Sequence, residues 1–263
     1  MEHVSKAQIK LVRSLQHKKF RDELGLFVAE GDKCIEELRK GFELVNLYRE
    51  GENATATEIE QMSGLRAPQG SIAVFKKQIT NHHGSADRQK SEIINGELVL
   101  ALDGIQDPGN LGTIIRTCDW FGVKQIICSP DTADCYNPKV VQATMGALAR
   151  VNVIYTDLVP FLQAEKTNGT NIFGTLLDGK NMYDELSTFD FERSGLSTII
   201  IMGNEGNGIS ESVRQYITHP LRIPSYPEGA ETSESLNVAI ATAIVLAEFR
   251  RPSYASTSCG VLV

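Results

Sequence analysis

Three separated stretches of this chain combine glycine turns with carboxamides, hydroxyls, carboxylates and one arginine, the types from which ligand sites are built. The first runs Leu102-Asp103-Gly104-Ile105-Gln106-Asp107-Pro108-Gly109-Asn110-Leu111-Gly112, with Arg116 six residues beyond Asn110. It follows an apolar strand and opens a helix. Asp107-Pro108-Gly109-Asn110 is turn chemistry, Asn110 is expected to cap the helix, and Arg116 to project from a similar side of the helix start. The second is Gly203-Asn204-Glu205-Gly206-Asn207-Gly208, whose glycines permit tight turns and close backbone approach to a ligand. Its order is GxxGxG, not the dinucleotide GxGxxG, and no GxxxxGK[ST] occurs anywhere. The third starts at Ile223-Pro224 and reaches Ser235-Leu236-Asn237-Val238 through a polar loop. Ser233 or Ser235 is its expected helix cap. Taken singly, each stretch is explained as well by caps, a turn and a surface arginine as by a ligand site.

The elements that carry these loops alternate. From residue 97 onward, short β-branched strands at 98–102, 125–128, 151–155, 171–177, 198–202 and 221–223 alternate with helices at 110–121, 138–150, 157–165, 210–217 and 234–250. That pattern predicts a mostly parallel sheet covered on both faces. Ligands in such sheets bind at loops leaving the carboxyl ends of the strands. Upstream, Ile9, Val12, Leu15 and, more loosely, Phe20 predict a helix over 5–20. Strand 27–29, helix 32–40, strand 42–48, helix 57–62 and strand 71–75 complete a small α/β unit. Residues 76–96 are polar and turn-rich, a linker. The expected domains are therefore 1–95, with that linker, and 97–250; the tail 251–263 has no periodicity.

The 263 residues are 41% hydrophobic and 22% charged, an ordinary globular balance. No apolar run nears the roughly 18–20 residues that span a bilayer, and no apolar segment follows the N-terminus as in a secretory signal. Five cysteines, without a CxxC pair, are expected to be buried, reduced thiols in a cytoplasmic protein, and no metal site is expected. The His82-His83 pair is expected in a solvent loop. Net charge is −7, but residues 1–95 carry +1 and 96–263 carry −8. An acidic total argues against indiscriminate nucleic-acid coating. Six cations, Lys6, Lys10, Arg13, Lys18, Lys19 and Arg21, stand against Glu2 alone within residues 1–21. They form either a solvated helix face or a patch that meets phosphates.

Together, in this order and spacing, the three stretches resemble the SpoU/TrmH-type RNA ribose 2′-O-methyltransferases of the SPOUT superfamily. The resemblance rests on Asn110 and Arg116 after the LDxxxDPxN-type run, on Gly203, Glu205 and Gly206 after an aliphatic strand, and on Ile223-Pro224 followed by Ser235-Leu236-Asn237-Val238. Asn137-Pro138-Lys139-Val140-Val141 and Met145-Gly146-Ala147 are similar to the family's intervening helix. The loop before Ser235 is longer than the family's usual form. Phe27-Val28-Ala29-Glu30-Gly31 is similar to the L30e-like RNA-binding domain often joined to this catalytic domain.

The resemblance implies a trefoil-knotted α/β domain, S-adenosylmethionine as cofactor, a homodimer with its site near the interface, and RNA, ribosomal or transfer, as partner. It assigns catalysis to Asn110, Arg116, Glu205, Ser235 and Asn237, and the cofactor pocket to Gly203, Ile223 and Leu236. A guanidinium ordinarily titrates at about 12.5 or above, so a neutral one at pH 7 costs roughly 7–9 kcal/mol. Arg116 is therefore expected to be a charged clamp on phosphate and developing alkoxide rather than a base. Glu205 is expected to hold Arg116 or, across the dimer, another arginine. The six cations of residues 6–21 are expected to meet the RNA. Two alternatives are a non-catalytic RNA-binding or assembly protein on the same fold and a nucleotide-dependent enzyme of ordinary doubly wound topology.

Overall fold

The computed structural model describes residues 4–78, 97–189, 197–227, 233 and 235–251. His82, His83, most of the expected linker, Cys259 and all but the first residue of the expected tail lie outside them. The small N-terminal unit runs α1 (Lys6–Ser14), α2 (Lys18–Leu24), β1 (Leu26–Glu30), α3 (Asp32–Leu38), β2 (Leu44–Arg49), α4 (Ala56–Met62) and β3 (Ser71–Lys76). Its three strands are antiparallel in the order β1-β3-β2. The single helix expected over 5–20 is two. A Ser5/Gln8 capping box starts α1, and Arg21 then takes the carbonyls of Leu15 and Gln16, at 2.9 Å each, out of the helical ladder. Phe20 consequently points outward while Val12 and Leu15 are buried.

The larger unit runs β4 (Leu98–Asp103), α5 (Pro108–Trp120), β5 (Gln125–Cys128), α6 (Pro138–Thr144), β6 (Asn152–Tyr155), α7 (Leu158–Thr167), β7 (Asn171–Asn181), α8 (Met182–Thr188), β8 (Thr198–Gly203), α9 (Glu211–Arg214), β9 (His219–Arg222) and α10 (Val238–Phe249). All six strands are parallel, in the order β6-β5-β4-β8-β7-β9. The helix expected over 138–150 breaks at Met145 (φ 51°) and Gly146 (φ 88°). There Glu37 comes so close that a Cβ on Gly146 would lie 2.2 Å from its Cβ. Helix α8 was not expected; Asn181 caps it by accepting from the Tyr183 amide.

Alternation along the strands divides the core. Val99, Ala101, Ile199 and Ile201 face one side with Leu158, Leu162 and Val213. Leu100, Leu102, Ile200 and Met202 face the other with residues of α5, α6 and α10. That second core continues without a break into Phe27, Ala29, Ala73 and Phe75 of the small unit, whose other face packs on α1 and α4. The units therefore share one apolar interior. At the seam Phe27 meets Tyr136 at 4.9 Å and Phe42 at 5.0 Å between ring centroids. Arg21, 1% exposed, pairs with Asp134 at 2.7 Å.

Candidate active site

Strands β4, β5 and β6 step outward in one direction, and β8, β7 and β9 lie on the other side of β4. The order reverses between β4 and β8, and open parallel sheets bind ligands at the carboxyl end of such a switch point. There Asp103 lies opposite Gly203, the last residues of the strands from which two of the three loops singled out above leave.

Asp107, not Asn110, caps α5: its carboxylate accepts the Asn110 amide at 2.8 Å, and Pro108 occupies the first turn. The Asn110 side chain is thereby free. Its Nδ2 donates to Glu205 Oε1 at 2.9 Å, and its Oδ1 accepts from Asn237 Nδ2 at 2.9 Å. Asn237, not Ser233 or Ser235, caps α10, accepting the amides of Ala239 and Ile240. The polarity follows from that cap. With Asn237 Oδ1 committed to the helix, its Nδ2 must donate to Asn110, which must then donate to Glu205. Residues 95 and 127 positions apart thus form one directed chain of hydrogen bonds at the switch point.

Two expected members stand apart from it. Ser235 is exposed and makes no hydrogen bond among the described residues. Arg116 is exposed on α5 and takes no ion-pair or hydrogen-bond partner among the described residues. Glu205 therefore holds Asn110 rather than Arg116 within one chain. Six residues at about 100° each place Arg116 roughly 120° around the helix from Asn110, so the similar side expected from the sequence is corrected. Arg116 shares its exposed stripe with Thr113 and Trp120 instead; the indole is 86% exposed.

Of the expected cofactor residues, Gly203 carries the loop back over itself: a Cβ there would lie 2.3 Å from Gly208 C and Ile209 N. Its missing side chain is used by its own loop. Ile223 is half-buried, and Leu236 and Ile240 expose apolar surface, 49% and 53%, beside the Asn237 cap. Apolar walls of this kind suit the face of a purine. Sequence reasoning missed Asp103 and Asn204, which tie the β4 and β8 loops together; the only signal was a second pair of short polar residues beside the glycines. A concavity of about 510 Å³ bordered by Asp32, Arg49, Glu50 and Glu52 lies on the small unit, but Arg49 is already shared between Asp32 and Glu36 there.

Lys6, Lys10 and Arg13 repeat at helical spacing on α1, and Lys18 and Lys19 open α2; all five are exposed. Arg21 leaves the expected RNA-contacting set, because its guanidinium is buried and spent on Asp134 and two carbonyls. Cys34, Cys118, Cys128 and Cys135 are free and buried. Burial pushes the Cys34 thiol up to about 11 and Cys135 up to about 12. Among the described residues no three His, Cys, Asp or Glu side chains gather as metal ligands would.

The sequence model described as the SpoU rRNA Methylase family matches residues 97–247, and that described as an MRM3-like substrate binding domain matches 6–81. The chain is 27% identical to the 23S rRNA (guanosine(2553)-2′-O)-methyltransferase RlmP of Bacillus subtilis, over 95% of this chain and 98% of the relative. A solved structure from Porphyromonas gingivalis, assigned to the TrmH family of RNA methyltransferases, is 34% identical, with a TM-score of 0.77 over 94% of this chain and 98% of its own. The AdoMet-bound rRNA methyltransferase of Sinorhizobium meliloti is 29% identical, with a TM-score of 0.77 over 95% of this chain and 97% of its own.

Proposed function

Because this chain belongs to the SpoU rRNA methylase family, we propose that its convergent loops transfer a methyl group from S-adenosylmethionine to a ribose 2′-hydroxyl of RNA. The observation that carries this reading is the Asn237–Asn110–Glu205 chain at the carboxyl end of the switch point. Ribosomal RNA is the proposed substrate, supported by the full-length likeness to RlmP and to the Sinorhizobium meliloti enzyme.

When bound, the cofactor supplies an electrophilic methyl group on sulfonium; everything else falls to this chain. Gly203, Ile223 and Leu236 form the cofactor's walls. A ribose hydroxyl is a weak nucleophile, so the site must align it and stabilise the oxyanion it becomes. Asn110, its amide orientation fixed by Glu205 and Asn237, orients the ribose. Arg116 clamps the neighbouring phosphate and stabilises the developing negative charge, while the proton leaves to phosphate or water. Ser235 completes the polar rim. Arg116 lies off the hydrogen-bonded chain of its own subunit, which favours a homodimer. The exposed Trp120 of α5 and Ile240 of α10, helices that pack on each other, give that dimer its apolar surface.

The remaining parts of the proposal concern the whole chain. The unit ending near residue 76 selects RNA through Lys6, Lys10, Arg13, Lys18 and Lys19, the unit from 97 to 250 does chemistry, and the chain between them is a linker. A knot in the larger unit belongs to the same proposal and rests on its match to the SpoU family. The cytoplasm is its proposed location, which suits four thiols held free rather than paired.

The test is Arg116→Ala with total RNA from cells lacking the protein. Cofactor binding by calorimetry and the unfolding midpoint stay near wild type, while methyl transfer falls at least about 100- to 1,000-fold. Transfer at the wild-type rate would refute the role given to Arg116.

A further inference from the structure

Residues 203–210 leave β8 and fold back over its end. Asn204 and Gly208 exchange two backbone hydrogen bonds, each 2.9 Å. The loop is fastened at both ends to two consecutive residues of the neighbouring β4 loop. At one end Asp103 Oδ2 accepts the Ser210 amide at 2.7 Å. At the other, Asn204 Nδ2 donates to the Gly104 carbonyl at 2.6 Å. Gly104 is itself held, at φ +72°, with its amide donating to Ser129 Oγ at 2.8 Å, so the carbonyl presented to Asn204 is fixed. The other end of the same carboxamide, Asn204 Oδ1, accepts the amides of Gly206 and Asn207 at 2.9 and 3.0 Å. Glu205 lies between these fastenings, and it is the residue that receives Asn110 Nδ2.

We propose that Asn204 is a positioning residue for methyl transfer, its carboxamide locking the β8 loop to the β4 loop so that Glu205 meets Asn110 in one geometry. This deepens the reading of the site as a methyltransferase and rests on it. The role needs a donor and an acceptor on one short side chain. Aspartate keeps the acceptor for Gly206 and Asn207 but turns a second oxygen towards the Gly104 carbonyl, where a donor is required. Asn204→Asp therefore keeps the turn and removes the fastening across the loops.

The experiment measures steady-state methyl transfer by the full chain to total RNA from cells lacking it, for wild type, Asn204→Asp, Glu205→Ala and the double variant, each with its unfolding midpoint. Asn204→Asp lowers kcat about 10- to 100-fold, as a displacement near 1 Å does, while KM for RNA changes little. The double variant is no slower than Glu205→Ala alone, because Glu205→Ala removes the acceptor for Asn110 that Asn204 serves to place. A purely structural role for Asn204 would lower the midpoint and leave the losses additive. Additive losses, or wild-type kcat in Asn204→Asp, overturn the proposal. Should Asn204→Asp not fold, Asn204→Ala, which has neither donor nor acceptor, carries the same cycle. A wild-type chain that transfers no methyl group to any RNA overturns the reading of the site and this inference with it; an active wild type with additive variants overturns the inference alone.

Discussion

The seam between the two units and the cluster at the switch point are both assembled from residues about a hundred positions apart, by opposite physics. At the seam, Phe27, Phe42 and Tyr136 meet in edge-to-face and tilted contacts, Arg21 pairs with Asp134 out of solvent, and Lys77 Nζ lies 5.1 Å from the Tyr136 ring centroid. At the cluster, Asn110, Glu205 and Asn237 reach water and are held by directed hydrogen bonds, not by packing. Burial fixes the first at a cost to any unpaired polar atom. Loop fastenings fix the second while leaving it open to a large substrate. Mutations at the seam should therefore be read in stability, and mutations at the cluster in rate.

The largest stability effect is expected from Asp134→Asn. The variant keeps the shape and an acceptor for the Tyr136 amide, which Asp134 Oδ1 now receives at 3.0 Å, but leaves the Arg21 guanidinium buried without its carboxylate. Removing one partner of a buried pair costs about 3–5 kcal/mol, read as a lower urea midpoint at unchanged slope. Arg116→Ala, by contrast, should stay within about 0.5 kcal/mol of wild type, as exposed positions do. Equal stability losses in the two variants would erase the distinction between seam and cluster.

A smaller effect separates them by pH. Cys34 lies in the seam core, and burial raises its thiol from 9.0 to about 11. A raised folded-state value means stability is fully present below the unfolded thiol's pKa and is lost as pH rises through the folded one. Wild type should therefore lose stability between about pH 9 and pH 11, and Cys34→Ala should lose less over that window. Identical pH profiles would show that Cys34 does not feel the seam.

How much of this was legible follows the same line. The strands of the large sheet were, because runs such as Ile199-Ile200-Ile201-Met202 are short, β-branched and bounded by turns. The identities of Asn110, Glu205 and Asn237 were also legible, but their geometry was not. Asp107 and Asn110 can each cap a helix, and only Pro108, suited to the first helical position, favours Asp107. Arg116 looked aligned with Asn110 because six residues is nearly two turns, yet the remaining fraction turns it to another face. In the sequence Arg21 is one more cation of the N-terminal run, since nothing local shows that Asp134, 113 residues on, pairs with it in the seam. The shared core left only a partial signal: Leu26-Phe27-Val28-Ala29 and Ile72-Ala73-Val74-Phe75 are continuous apolar runs of the kind buried on both faces, but nothing local names what covers the second face.

The finest comparison lies inside one helix. Lys18, Lys19 and Arg21 are neighbours on α2, yet the two lysines are exposed and the arginine is sealed in the seam. Lys18 pairs with Asp22 at 2.6 Å, as does Lys77, and both attractions lower the Asp22 carboxyl against the opposing push of its own partial burial. The exposed Lys18–Asp22 pair contributes about 0–1 kcal/mol and weakens in salt. Lys18→Gln with Lys19→Gln should accordingly leave the urea midpoint almost unmoved. The same variant should weaken RNA binding and shallow its dependence on log salt by about one unit for each phosphate that the lysines no longer neutralise. An unchanged salt slope would move the RNA away from α2, and a lowered midpoint would mean that the lysines, like Arg21, belong to the seam.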